Sequence, residues 1–111
     1  MAATPRLSDL VEFFGAEPEK HPEGWERMAI FNSELNEDKV QAIVEVSNRL
    51  MTFSWSQAER MRAHINVTGI SDWSFERKTL MHRLHLATDR QDMAFLFVQM
   101  KPYVSVGWAT K

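Results

Sequence analysis

The stretch "HLATDRQDMAFLFVQMKPYVSVGW", residues 85–108, changes its hydrophobic rhythm twice, and its reading decides the fold. Thr88, with Gln91 three residues later, has the form of a capping box. Met93, Leu96, Phe97 and Met100 then recur at helical spacing, which predicts a helix over residues 89–101. Phe95 and Val98 lie off that stripe, so a β hairpin spanning residues 80–100 competes with the helix. Pro102 has no N–H to donate and disfavours helical geometry at Lys101, so a helix ends before it. Beyond it, Val104, Val106 and Trp108 alternate with Tyr103, Ser105 and Gly107, the pattern of a closing strand.

Working towards the N-terminus, residues 78–86 put Leu80, Leu84 and Leu86 on one face as a strand, preceded by a turn at "ISDW". Residues 61–68 alternate Ala63, Ile65 and Val67 against Arg62, His64, Asn66 and Thr68, a half-buried strand that stops at Gly69. Ser56 and Glu59 offer a second capping box for a short helical turn. In "NEDKVQAIVEVSNRLMTF", residues 36–53, the residues Val40, Ile43, Val44, Ser47, Leu50 and Met51 form one helical stripe. Asn36 is a suitable N-cap there, and Glu37 and Asp38 suit the first turn. Residues 26–32 read as a strand, and residues 16–25, "AEPEKHPEGW", as a loop. Residues 1–15 read as a helix, with Thr4 as cap, Pro5 in the first turn, and Leu7, Leu10, Val11 and Phe14 on its apolar side. Gly15 supplies the left-handed C-terminus.

The order after that helix is strand, helix, strand, strand, helix, strand. It predicts one α+β domain over residues 1–111, a ferredoxin-like split βαβ sandwich (β-α-β-β-α-β) with an extra N-terminal helix. The hairpin reading gives instead a strand-rich α+β sheet packed on one long helix. In the ferredoxin-like arrangement Ala63, Ile65, Val67, Leu80, Leu84, Leu86, Val104, Val106 and Trp108 face the helices. The opposite, open sheet face shows Arg62, His64, Asn66, Met81, Arg83, His85 and Tyr103, which are the candidate binding residues.

Composition limits the function. The chain has 111 residues, 44% hydrophobic and 25% charged, with no cysteine, which removes disulfides, cysteine-ligated metals and thiol chemistry. Asp9 and Glu12 interrupt the first apolar stretch, so it does not read as a secretory signal. No apolar run approaches the roughly 20 residues of a membrane span, and a cytoplasmic location is expected. Residues 16–45 carry eight acidic against three basic side chains, and residues 46–111 nine basic against five acidic, so charges of −5 and +4 sit in different parts of the chain. Such opposed halves either meet each other or meet a charged partner.

No motif carries catalysis or cofactor binding. His82 and His85, three apart on a strand, point to opposite faces and cannot share an ion. His64 and His85 would share an ion only as neighbours on adjacent strands. Ser54 and Ser56 stand in no nucleophile elbow, Asp89 and Asp92 fit a helix first turn, and the four glycines form no phosphate loop. No cofactor, metal or catalytic residue is therefore assigned. Arg62, Arg83 and Arg90 could hold phosphates, which keeps a weak nucleic-acid binder through the open sheet face as a further alternative, but of stacking aromatics the expected central strands offer only Phe31, and a pI near 6.1 argues against nucleic acid. Met, Tyr and Arg, which recur at interface centres, are what the open face supplies. The expected function is a small non-enzymatic regulator, inhibitor or immunity-type module that occludes a protein partner, with a homodimer as a further assembly. The rival is a dimeric α+β barrel that binds or transforms a small hydrophobic molecule, with His64, His82 or His85 moving a proton.

Overall fold

The computed structural model describes residues 4–19 and 24–110, and among these it has one α-helix and eight strands. The helix α1 spans Leu7–Phe14. The strands are β1 (Ala29–Leu35), β2 (Asp38–Glu45), β3 (Leu50–Gln57), β4 (Arg60–Val67), β5 (Ile70–Arg77), β6 (His82–Thr88), β7 (Phe95–Lys101) and β8 (Ser105–Ala109). They form two four-stranded sheets, β1-β2-β3-β4 and β5-β6-β7-β8, in which every neighbouring pair is antiparallel and consecutive in sequence. Neither the ferredoxin-like sandwich nor a sheet on one long helix is present.

Two expected helices are strands, and the reason lies in the arithmetic of the two periods. Val40 and Val44, four apart, satisfy both a helical stripe and an alternation. The structure uses the alternation, burying Val40, Ala42 and Val44 and then Met51 and Phe53. The β-branched residues Val40, Ile43, Val44 and Val46 suit the pleat better than a helix. Asn36, expected as an N-cap, instead takes a left-handed φ of 58° in the β1–β2 turn. Arg49 likewise has φ 58° where a short 3-10 turn over Val46–Asn48 reverses the chain. Ser56 and Glu59 cap nothing: Ala58 and Glu59, with φ 49° and 65°, make the two-residue β3–β4 turn.

The same substitution of period occurs in residues 85–108. Leu96, Val98 and Met100 point inward and Phe95, Phe97 and Gln99 outward, so β7 pairs with β6 where a helix over residues 89–101 was expected. The Thr88 hydroxyl organises the β6–β7 turn, accepting from the Arg90 N–H at 3.1 Å and donating to the Met93 carbonyl. Residues 70–77, which contain the expected turn "ISDW", form β5, and Lys78–Met81 make the turn into β6, exchanging two backbone hydrogen bonds. The expected strand over residues 78–86 thus begins only at His82. The Lys101–Pro102 peptide is cis, and Pro102 follows the end of β7.

The inner faces of the two sheets share one apolar cluster that includes Phe31, Phe53, Met51, Val67, Trp73, Leu84, Leu86 and Val98. Helix α1 joins them. Phe14 stacks on Phe31 of the first sheet at 5.2 Å, and Phe13 meets Phe75 of the second edge-on at 5.8 Å. Asp9 and Glu12 also hold Arg77 at 2.8 and 3.2 Å. The helix starts at Leu7, with the Asp9 carboxylate accepting from the Arg6 N–H at 3.3 Å, so the expected cap at Thr4 lies outside it. Two expected core residues are misplaced: Leu80, 77% exposed, lies in the β5–β6 turn, and Trp108, 60% exposed, lies on the edge strand β8.

Candidate functional site

The open face expected from the sequence is divided between two sheets. Arg62, His64 and Asn66 stand on β4 in the first sheet, whereas Arg83 and His85 stand on β6 in the second. Met81 is half-buried in the β5–β6 turn, and Tyr103 is exposed between β7 and β8. The unforeseen strand β5 separates them, so His64 and His85 are not on neighbouring strands. Among the described residues no group of three metal-ligating side chains exists. Arg90 pairs with Asp92, away from Arg62 and Arg83, so the expected arginine cluster is also dispersed.

The outer face of the first sheet is a polar surface whose groups mostly satisfy one another. Asn32, Gln41, Ser54 and His64 stand in register across all four strands. Gln41 donates to Asn32 at 3.2 Å, Asn32 donates to Glu19, and Ser54 Oγ lies 2.8 Å from His64 Nδ1. Thr52 donates to Asn66 at 2.9 Å in the next row. An open concavity of about 560 Å³ lies over this surface, rimmed by the ion pair of Glu34 and Lys39. The Ser54–His64 pair has the spacing of a nucleophile and its base. Among the described residues no carboxylate orients the ring, and the pair sits on an exposed sheet surface rather than in a water-excluding cleft.

The second sheet's outer face is chemically different. Ser74, His85, Phe97 and Gly107 share one register row, flanked by Glu76, Arg83, Gln99 and Ser105 on one side and by Ala87, Phe95 and Ala109 on the other. Gly107 is required here, since a Cβ on it would stand 2.1 Å from the Phe97 ring. The Phe97 ring therefore covers the glycine and presents its face to Arg83, whose guanidinium carbon lies 4.6 Å from the ring centroid. Arg83 Nε donates to Gln99 Oε1 at 2.8 Å, and Gln99 Nε2 donates to the Tyr103 carbonyl at 2.9 Å. Gln99, only 2% exposed, thereby fixes both the arginine and the β7–β8 connection.

On the same side of the row, towards β5, His85 Nε2 meets Glu76 Oε1 at 3.0 Å. This hydrogen bond, with Lys78 also nearby, holds the Glu76 carboxyl below the usual carboxylate range. Phe95, 56% exposed, borders a shallow apolar depression of about 260 Å³ lined by His85, Phe97, Gly107 and Trp108 among others. Arg83 and His85 were expected from the sequence, whereas Phe95, Phe97 and Gln99 were hidden by the helical reading of β7. Their signal was the alternation Phe95-Phe97-Gln99 against Leu96-Val98-Met100.

No family model and no curated protein matches this sequence. Among solved structures, a chain of a contact-dependent growth inhibition toxin - immunity protein complex from Klebsiella pneumoniae 342 is similar with a TM-score of 0.78. The match covers 99% of this chain and 97% of that one at 14% sequence identity, a likeness of fold.

Proposed function

We propose that this protein is a non-enzymatic inhibitor of the immunity type, which binds a protein partner through the outer face of its second sheet and occludes it. The observation that carries this reading is the preorganised set of exposed Phe95 and His85 with half-buried Phe97 and Arg83, centred on the Phe97–Gly107 contact. Aromatic and arginine side chains dominate the energetics of protein interfaces, and an arginine already held by Gln99 and Phe97 loses little freedom on binding. The fold shared with a chain of a toxin–immunity complex supports the same class of function. The rival reading, a dimeric α+β barrel around a small molecule, requires helical layers that the described residues lack.

Growth rescue and direct binding test the proposal. The protein is co-expressed with toxin domains from contact-dependent growth inhibition systems, and any toxin it neutralises is titrated against purified variants. Arg83→Ala and Phe95→Ala should each weaken binding by about 10-fold or more, as interface hot spots do, while leaving the melting temperature within a few degrees. Full rescue by both variants, with loss of rescue on Gln41→Ala or His64→Ala, would move the interface to the first sheet. Failure to neutralise any such toxin, together with recovery of a bound small molecule by native mass measurement, would overturn the inhibitor reading.

A further inference from the structure

Four strands form the edges of the two sheets, and three of them are protected. On β1, the Ile30 carbonyl accepts from the Glu19 N–H at 2.9 Å, so the preceding loop lies along it. On β4, the exposed Arg60 and Arg62 put charge on the edge. On β5, the register shifts between Ile70 and Asp72, and Arg77 at its end is tied to Asp9 and Glu12 of α1. Short loops, charges and bulges of these kinds are how sheets avoid edge-to-edge pairing. The fourth edge, β8, has none of them. Ser105-Val106-Gly107-Trp108-Ala109 is neutral, contains no proline, and pairs with β7 without a register shift. Among the described residues no backbone hydrogen bond reaches its free edge, and Trp108, although it stands on the inner side of the sheet, is 60% exposed.

From this contrast we infer that β8 pairs with β8 of a second copy of the chain, antiparallel about Gly107, joining two second sheets into one continuous sheet of eight strands. The sequence of the strand is suited to its own reverse. In that register Ser105 faces the partner copy's Ala109, Val106 faces Trp108, and Gly107 faces Gly107, so no like charges oppose each other. The alternation places Val106 and Trp108 on the inner side, where Trp108 of each copy covers Val106 of the other. On the outer side the two glycines leave room for the two Phe97 rings to approach. The contact is one five-residue strand pair and two indoles, well below a standard interface, so the dimer is weak and concentration-dependent. It rests on observations separate from the partner-binding reading, and although the paired edge runs beside Phe97 and Gly107 it leaves Arg83 and His85, on β6, open.

Two experiments on the full chain test it. Sedimentation should show a dimer at roughly 200 µM that dissociates on dilution to roughly 2 µM, the behaviour of a micromolar contact. Trp108→Lys should remain monomeric throughout with an unchanged circular dichroism spectrum. Because the chain has no cysteine, register can be read by cross-linking. A mixture of Ser105→Cys and Ala109→Cys chains should form a disulfide-linked heterodimer under mild oxidation, at least 10-fold more than either variant alone, since only opposed Cβ atoms come within bridging distance. A wild-type monomer at the high concentration, or equal cross-linking by each variant alone, overturns the proposal. If the dimer holds while Arg83→Ala leaves partner binding intact, the inhibitor interface fails and β8 pairing stands. If Arg83→Ala abolishes partner binding and the wild type stays monomeric, the reverse is true.

Discussion

Leu84 has no exposed surface and packs between Phe75 and Val98 in register at the centre of the second sheet. Leu84→Ala removes a side chain that the surrounding sheet cannot collapse to fill, so it should cost about 2 to 5 kcal/mol in urea denaturation. Asp9 illustrates a different kind of contribution. Its hydrogen bond from the Arg77 guanidinium lowers its carboxyl below the usual range, so it binds protons less readily folded than unfolded. The stability this linkage provides is complete above the unfolded carboxylate's range and is lost as the pH falls through the lowered one. Asp9→Asn should therefore lower the melting temperature at neutral pH and have progressively less effect towards pH 2, which a pH series of thermal melts would read. A flat difference across that series would mean that Asp9 acts only through packing. Single residues were partly legible in the sequence: Val67, Leu84, Leu86 and Val104 are buried as expected. Trp108 was not legible, because alternation tells which side of a strand a residue occupies and not whether anything covers that side.

Elements were legible where one period excluded the other. α1 (Leu7–Phe14), β4 (Arg60–Val67) and β8 (Ser105–Ala109) lie within or close to the stretches expected for them. β2, β3 and β7 were not, because residues four apart serve a helix stripe and an alternating strand equally, and the deciding contacts come from neighbouring strands. The turns record the same difficulty. The β3–β4 turn places Ala58 and Glu59 at left-handed φ, without the Asn-Gly signature that marks such a hairpin in a sequence. Replacing them together, Ala58→Asn with Glu59→Gly, should relieve that strain and raise stability by about 0.5 to 1 kcal/mol in chemical denaturation. Gly107 is required for a different reason, the crowding that any larger side chain would meet. Gly107→Ala forces the Phe97 ring off its place, so it should destabilise by about 1 to 3 kcal/mol and release Arg83 from the ring face. Chemical-shift changes at Arg83 would show the second effect, and their absence would mean that the ring does not hold the guanidinium.

At the scale of the whole molecule, the candidate surface depends on which strands share a sheet, and this is where reading from sequence ran out. Arg62, His64, Asn66, Arg83 and His85 were each recognisable as outward residues of strands. Their separation onto two faces follows from β5, whose pattern "ISDWSFER" is broken by a register shift near Asp72 and so shows no clean alternation. The opposed charges of the two parts of the chain are not joined by these ion pairs: Arg49 pairs with Asp89 and Lys39 with Glu34, each inside its own part, and Arg77 reaches back to Asp9 and Glu12 of α1. Arg83, by contrast, is held by an amide and an aromatic ring rather than by a carboxylate, which leaves its charge uncompensated by any ion pair among the described residues. An acidic side chain on a partner is the natural complement to it, and reversing that partner charge should restore binding to Arg83→Glu.

Among the described residues every strand lies beside the strand that precedes or follows it in the chain, with no crossover in either sheet. The hairpins can therefore each close over a short length of chain before the two halves meet, and little loop entropy is lost ahead of the first contacts. Sandwiches whose strands exchange between sheets must bring distant segments together first. Stopped-flow refolding of this chain should accordingly be faster than that of a crossed-over β sandwich of equal length and stability, with the docking of α1 across the two halves as the late step.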